Sequence, residues 1–210
     1  MAIRQSQGEP GVLVDSDSGK RYQVGDSQPR VLFDTVVITT GLQVANTEYL
    51  FFQNTANKKG QHTNMGNQKR IPAGRFFELH RVGVRIWQIA DGSTQVVDDD
   101  LLRVIDNFYV EFYVNTIEVA RGPVVHYPSG YGSSGNAFAG GSGLVNNGMP
   151  NQAAQTGLIE PTIITDQVDL NGKLVIFDAT WNTNAVMPTI LSRVYASLEL
   201  TGVLFTAATI

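Results

Sequence analysis

Phe108-Tyr109-Val110-Glu111-Phe112-Tyr113-Val114 is the stretch on which the fold turns. Phe108, Val110, Phe112 and Val114 recur at every second position, and Tyr109, Glu111 and Tyr113 fall between them. A period of two puts the apolar set on one face of a strand and the more polar set on the other. Asn115-Thr116 then reads as a turn, and Ile117-Glu118-Val119-Ala120 as the return strand. The last strand, Arg193 to Phe205, repeats the logic. Val194, Ala196, Leu198, Leu200 and Leu204 share a face against Tyr195, Ser197, Glu199 and Thr201. Half-buried alternation of this kind belongs to antiparallel sheets.

Working outward, Val31 to Thr40, Glu48 to Gln53, Thr162 to Asp166 and Lys173 to Trp181 read as further strands, rich in β-branched and aromatic residues. Ile71-Pro72-Ala73-Gly74 turns the chain into a long run from Arg75 to Ile89. The inward phase of that run changes near Val82-Gly83, which points to a bulge or bend. Asp98-Asp99-Asp100 before Leu101-Leu102-Arg103-Val104-Ile105 predicts a short helix, since acids suit a helix N-terminus. Calcium binding by the same three acids is the other reading.

Residues 1–29 are polar and punctuated by glycine. They read as an N-terminal arm or a small hairpin in which Gly11–Val14 and Arg21–Val24 flank a turn. With little apolar surface of its own, the arm is expected to order against a neighbouring chain. Residues 30–210 form the main domain, interrupted by long loops at 54–70 and 127–157. About eight strands with unequal connections predict an all-β, jelly-roll-like antiparallel sandwich with at most one or two short helices. An immunoglobulin-like sandwich fits less well, because its Cys and Trp pattern is missing.

The 210 residues are 42% hydrophobic, enough for one packed core, and only 16% charged. Such a low charge suits surfaces that end up against other protein. A net charge of −4 makes nucleic acid an improbable partner, since binding it rests on neutralising phosphates. Cysteine is absent, which removes disulfides and thiolate chemistry. Met1 to Ser6 lacks the apolar core of a signal peptide, and no stretch approaches the ~20 apolar residues of a membrane helix.

No chemistry gathers in the sequence. Gly130-Tyr131-Gly132-Ser133-Ser134-Gly135 fits a dinucleotide fingerprint literally, but it sits in a glycine-rich loop rather than between a strand and a helix. His62, His80 and His126 are far apart, with none of the pairing a metal oxygenase would need. No nucleophile elbow occurs. The expectation is therefore no enzyme, no metal and no cofactor. Lys58, Lys59, Lys69 and Arg70 form the one positive cluster, a candidate subunit-contact loop. Tyr109, Tyr113, Trp87 and Trp181 are candidates for stacking on sugars, or for filling a core or an interface.

Leu198 to Phe205, the Ile71-Pro72-Ala73-Gly74 turn and the overall layout resemble small jelly-roll structural proteins of viruses and bacteriophages. The resemblance covers most of the chain as architecture and transfers no functional residue. It implies a virion protein, made in the host cytoplasm, that forms or reinforces a shell by contact with itself and with other virion proteins. A carbohydrate- or receptor-binding spike or fibre head is the alternative, and a cupin-like enzyme a more distant one.

Overall fold

The computed structural model describes residues 3–5, 11–15, 21–53, 55, 58–66, 69–88, 99–129, 134–138, 141–146, 155–177, 189–190 and 193–209. One sheet joins β1 (Ile3–Gln5), β2 (Val12–Asp15), β3 (Arg21–Ile38), β6 (Arg75–Gln88), β11 (Thr156–Thr165) and β14 (Val194–Thr209). Their spatial order is β1-β2-β3-β14-β6-β11. The second sheet joins β5 (Glu48–Phe51), β7 (Phe108–Val114), β8 (Ile117–Pro123) and β12 (Leu170–Ile176) in the order β5-β12-β7-β8. Every strand pairing in both sheets is antiparallel.

Leaving aside β1 and β2 of the N-terminal arm and counting the other strands of the two sheets, β3, β5, β6, β7, β8, β11, β12 and β14, as first to eighth, the sheets read 1-8-3-6 and 2-7-4-5. The first and last strands are thus neighbours, and the chain keeps crossing between the layers. This is the two-sheet jelly roll. The sheets meet over a core led by Phe51, Phe52, Phe77, Phe108 and Phe112, all fully buried. Gly172 marks how closely they approach, since a Cβ there would lie 2.6 Å from Leu198 Cδ2 on the opposite sheet.

The helix α1 covers Asp99–Asn107 and runs directly into β7. It buries Leu101, Val104 and Ile105, spaced to lie on one helical face. Two short pairs complete the described structure: β4 (Gly41–Leu42) with β13 (Thr189–Ile190), and β9 (Ser134–Phe138) with β10 (Gly141–Asn146). The stretch 127–157, expected as a loop, therefore holds a hairpin. Its Tyr127–Pro128 segment also continues the edge of β6, where Val84 N donates to Tyr127 O. The glycine content of the stretch hid this pairing.

The phase change in β6 is real but lies at His80. Leu79 pairs with Gly202 and Arg81 with Thr201, leaving His80 as the extra residue. Phe77 and Leu79 point inward before it, and Val82, Val84 and Ile86 after it. The partner must be glycine, because a Cβ on Gly202 would run into the carbonyl of Glu78. Gly83 serves a different end: its missing side chain admits Gln155 Nε2 and Pro128 O at 3.0 and 3.1 Å from where a Cβ would be.

The boundary placed after Pro29 falls inside β3, which stays paired with β14 from Ile38 back to Tyr22. Residues 25–30 are polar because they are exposed in β3, along an edge that no other described strand pairs with, not because the strand stops there. Asp26, Pro29 and Arg30 are the residue types that keep an open edge from recruiting another strand. Beyond them, β2 pairs with β3 in register Val12↔Gln23 to Val14↔Arg21. Leu13 there joins Phe76 and Phe205 in a separate small cluster, so the arm finds apolar contacts within its own chain.

Candidate functional site on the outer face of the larger sheet

Beyond the bulge, the larger sheet turns Phe33, Thr35 and Val37 of β3 outward beside Tyr195, Ser197 and Glu199 of β14. On the other side of β14 lie Gly83, Arg85 and Trp87 of β6. Cross-strand register sets Val37, Tyr195 and Trp87 in one row, Thr35, Ser197 and Arg85 in the next, and Phe33, Glu199 and Gly83 in the third. The first row carries a stack. His62 lies parallel to Tyr195 with ring centres 6.0 Å apart, and Tyr195 parallel to Trp87 at 5.7 Å. The Arg85 guanidinium sits 5.1 Å from the indole centre.

Ser197, the smallest side chain of the middle row, is buried and leaves a dip. A cavity of about 260 Å³ opens there, walled by Val31, Phe33, Arg85, Trp87, Glu199 and the rim residue Gln61. A larger groove of about 730 Å³ shares the Gln61 rim and runs past Val37, Leu50, His62, Tyr195 and Arg193.

Glu199 is the unusual group. Burial pushes its carboxyl up to about 7, against the opposing pull of Arg85 and of a hydrogen bond from Gln155. That bond is long, 3.4 Å from Gln155 Nε2 to Glu199 Oε2. Gln155 is itself held by Thr201 Oγ1, which donates to its Oε1 at 2.7 Å. Nearby, Arg85 Nε and Thr35 Oγ1 are buried with no hydrogen-bond partner. Unpartnered buried polar atoms are rare in folded proteins and call for an explanation.

The four basic residues of the expected contact loop do not form one patch. Lys58 is drawn inward, its Nζ 2.6 Å from the buried Asp34 carboxylate, which also accepts the Phe52 amide. Lys59 lines the groove. Lys69 adopts a left-handed backbone (φ 59), and its carbonyl accepts Leu170 N. Arg70 binds Asp169 at 2.6 Å. The ion pairs with Asp34 and Asp169 were invisible in the sequence because both acids lie far along the chain from the lysine and arginine they meet.

Of the three histidines, His62 is in the stack, His80 is the bulge residue 3.4 Å from Glu78, and His126 ends a single 3-10 turn, Val124–His126. Among the described residues no three His, Asp or Glu side chains are placed to hold a metal ion. Gly130–Ser133 lie outside the described residues, and the element after them is β9 rather than a helix. Asp98 and Trp181 also lie outside. Asp100 is buried at the start of α1 and pairs with Arg103 one turn on, at 3.1 Å. Tyr109 and Tyr113 stand on the outer face of the smaller sheet, where the Tyr113 hydroxyl donates to Glu118 at 3.2 Å. Among the described residues, Trp87 is the one sugar-stacking candidate that lines the cavity beside Ser197 and Glu199. The outward phase of β14 already contained Ser197 and Glu199. Its juxtaposition with β6 and Gln155 was not legible.

Fold and site together define the class: an all-β jelly-roll sandwich whose larger sheet bears a polar dip on its outer face. Comparison with protein-family models, curated proteins and solved structures finds no match. Among the described residues, no helix is long and apolar enough to cross a membrane.

Proposed function

We propose that the protein is a structural virion subunit, which forms or reinforces a shell by contacts with copies of itself and with other shell proteins. The observation that supports this reading is the overhang of the larger sheet. β3 has 18 residues and β14 has 16, whereas the strands of the smaller sheet have four to seven. At about 3.3 Å per residue the long pair runs far beyond anything the smaller sheet covers. Among the described residues, the outer face of this overhang carries the cluster of Leu13, Phe76 and Phe205, with Tyr22, Val24, Ile163 and Val203 packed against it. Beside that cluster lies a groove of about 750 Å³, lined from one sheet edge by Gly11 and Leu13 and from the other by Pro161 and Ile163. A flange of this kind gains its stabilisation when a neighbour packs on it. Jelly rolls build viral capsids, and also lectins and cupins, so the fold alone does not choose between them.

Ile159, fully exposed on the irregular turn of β11 next to this groove, provides the test. Light scattering on the full chain should show mass rising with concentration toward a closed assembly. Ile159→Glu should return it to monomer without lowering the melting temperature. A native chain that stays monomeric at every concentration overturns the shell reading.

A further inference from the structure

We propose that the dip above Ser197 binds one residue of a saccharide. The inference goes beyond the shell reading, because it concerns a single chain and a surface away from the overhang.

Shape comes first. The buried Ser197 carries the shortest side chain of a lining otherwise made by Val31, Phe33, Gln61, Arg85, Trp87 and Glu199. At about 260 Å³ the space is near the lower end of small-ligand sites, and the 730 Å³ groove shares its Gln61 wall. The walls are stiff. Trp87 is braced by Tyr195 on the next strand and by the Arg85 guanidinium, so little side-chain freedom is lost on binding.

The polar groups match hydroxyls better than ions. Arg85 Nε–H has no partner, and among the described residues Glu199 accepts only the long bond from Gln155. A bare cation placed here meets the guanidinium, and a bare anion makes no use of the apolar wall of Val31 and Phe33. A neutral ring carrying hydroxyl groups has neither drawback, since each hydroxyl both donates and accepts. It would give Arg85 Nε an acceptor and Glu199 a second partner, while Val31 and Phe33 cover its apolar C–H surface. An orphaned buried donor is destabilising, and such a ligand would relieve it.

Saturation-transfer NMR on the full chain, with methyl glycosides of glucose, galactose, mannose, N-acetylglucosamine and N-acetylneuraminic acid, tests this directly. At least one glycoside should receive transfer at its ring protons. Ser197→Leu fills the dip from its floor, and Gln61→Trp closes it from an exposed loop position that does not disturb the sheet. Each should abolish the signal. Glu199→Gln should weaken binding by about tenfold, the worth of one hydrogen bond. The proposal falls if no glycoside receives transfer, or if folded Gln61→Trp binds like the native chain. Light scattering on Gln61→Trp should be unchanged, which separates failure of the sugar site from failure of the shell reading.

Discussion

The outer faces of the two sheets are made from strands of the same alternating pattern, yet they treat charge in opposite ways. Across the smaller sheet, Glu48 of β5, Lys173 of β12, Glu111 of β7 and Arg121 of β8 stand side by side in alternating sign. Lys173 Nζ lies 2.7 Å from Glu48, and Arg121 Nε 3.2 Å from Glu111. Lys173 is directly opposite Glu111 in the register. The bond to Glu48 holds the lysine above its usual range, and solvent reaches the ends of the row. On the larger sheet one acid, Glu199, is buried with Arg85 and Gln155 for company and keeps its proton to about 7. The first face sets its described charges in cancelling pairs. The second concentrates unsatisfied groups around a hollow. A face that is finished needs no ligand, whereas an unfinished one offers hydrogen bonds.

Breaking the bulge in the larger sheet should have the largest effect. The extra residue His80 sets which side chains of β6 face outward, and Gly202 makes room for it. Gly202→Ala drives a Cβ into the Glu78 carbonyl and should cost about 3 kcal/mol or more, read by urea denaturation. Near-native stability in that variant would mean the outer face does not depend on the bulge.

Next comes Glu199. Its carboxyl titrates near 7 in the folded chain against an ordinary value of 4.5. Between these values the folded state holds a proton that the unfolded state has lost, so stability falls as pH rises from about 4.5 through about 7. Glu199→Gln removes that slope. It should match the native chain near pH 4 and exceed it by about 3 kcal/mol near pH 8. Parallel stability curves across this range would show that the acid is not held neutral by burial.

The smallest effect belongs to the ladder. Lys173→Met should cost less than about 1 kcal/mol, and the loss should shrink with added salt, because the partners are partly exposed. A loss as large as that at Gly202 would erase the contrast between the faces.

Much of this molecule was readable along the chain. The alternation in Phe108–Val114 and in Val194–Leu200 determined which side chains go inward. Acids ahead of Leu101 marked the helix within a residue or two of its observed Asp99–Asn107 span. The phase change in β6 announced a bulge, though the glycine drew attention to Gly83 rather than to His80. These are local properties, set by backbone period and by residue type. Composition misled where polarity meant exposure rather than irregularity: residues 25–29 belong to β3, and the glycine-rich stretch contains β9 and β10.

The candidate site was decided only by tertiary structure. Sequence places Ser197 and Glu199 on the outward face of the last strand, but a face has no chemistry until its neighbours are known. The jelly-roll crossing sets β14 between β3 and β6, so that Tyr195 meets both Trp87 and His62, and Glu199 meets Gln155. The same wrapping buries Asp34 and ties the Lys58 ammonium to it. Alternation carries no information about which distant strand will lie alongside. That pairing comes from how two sheets close over one core, and with it come the burial of Glu199 and the hollow above Ser197.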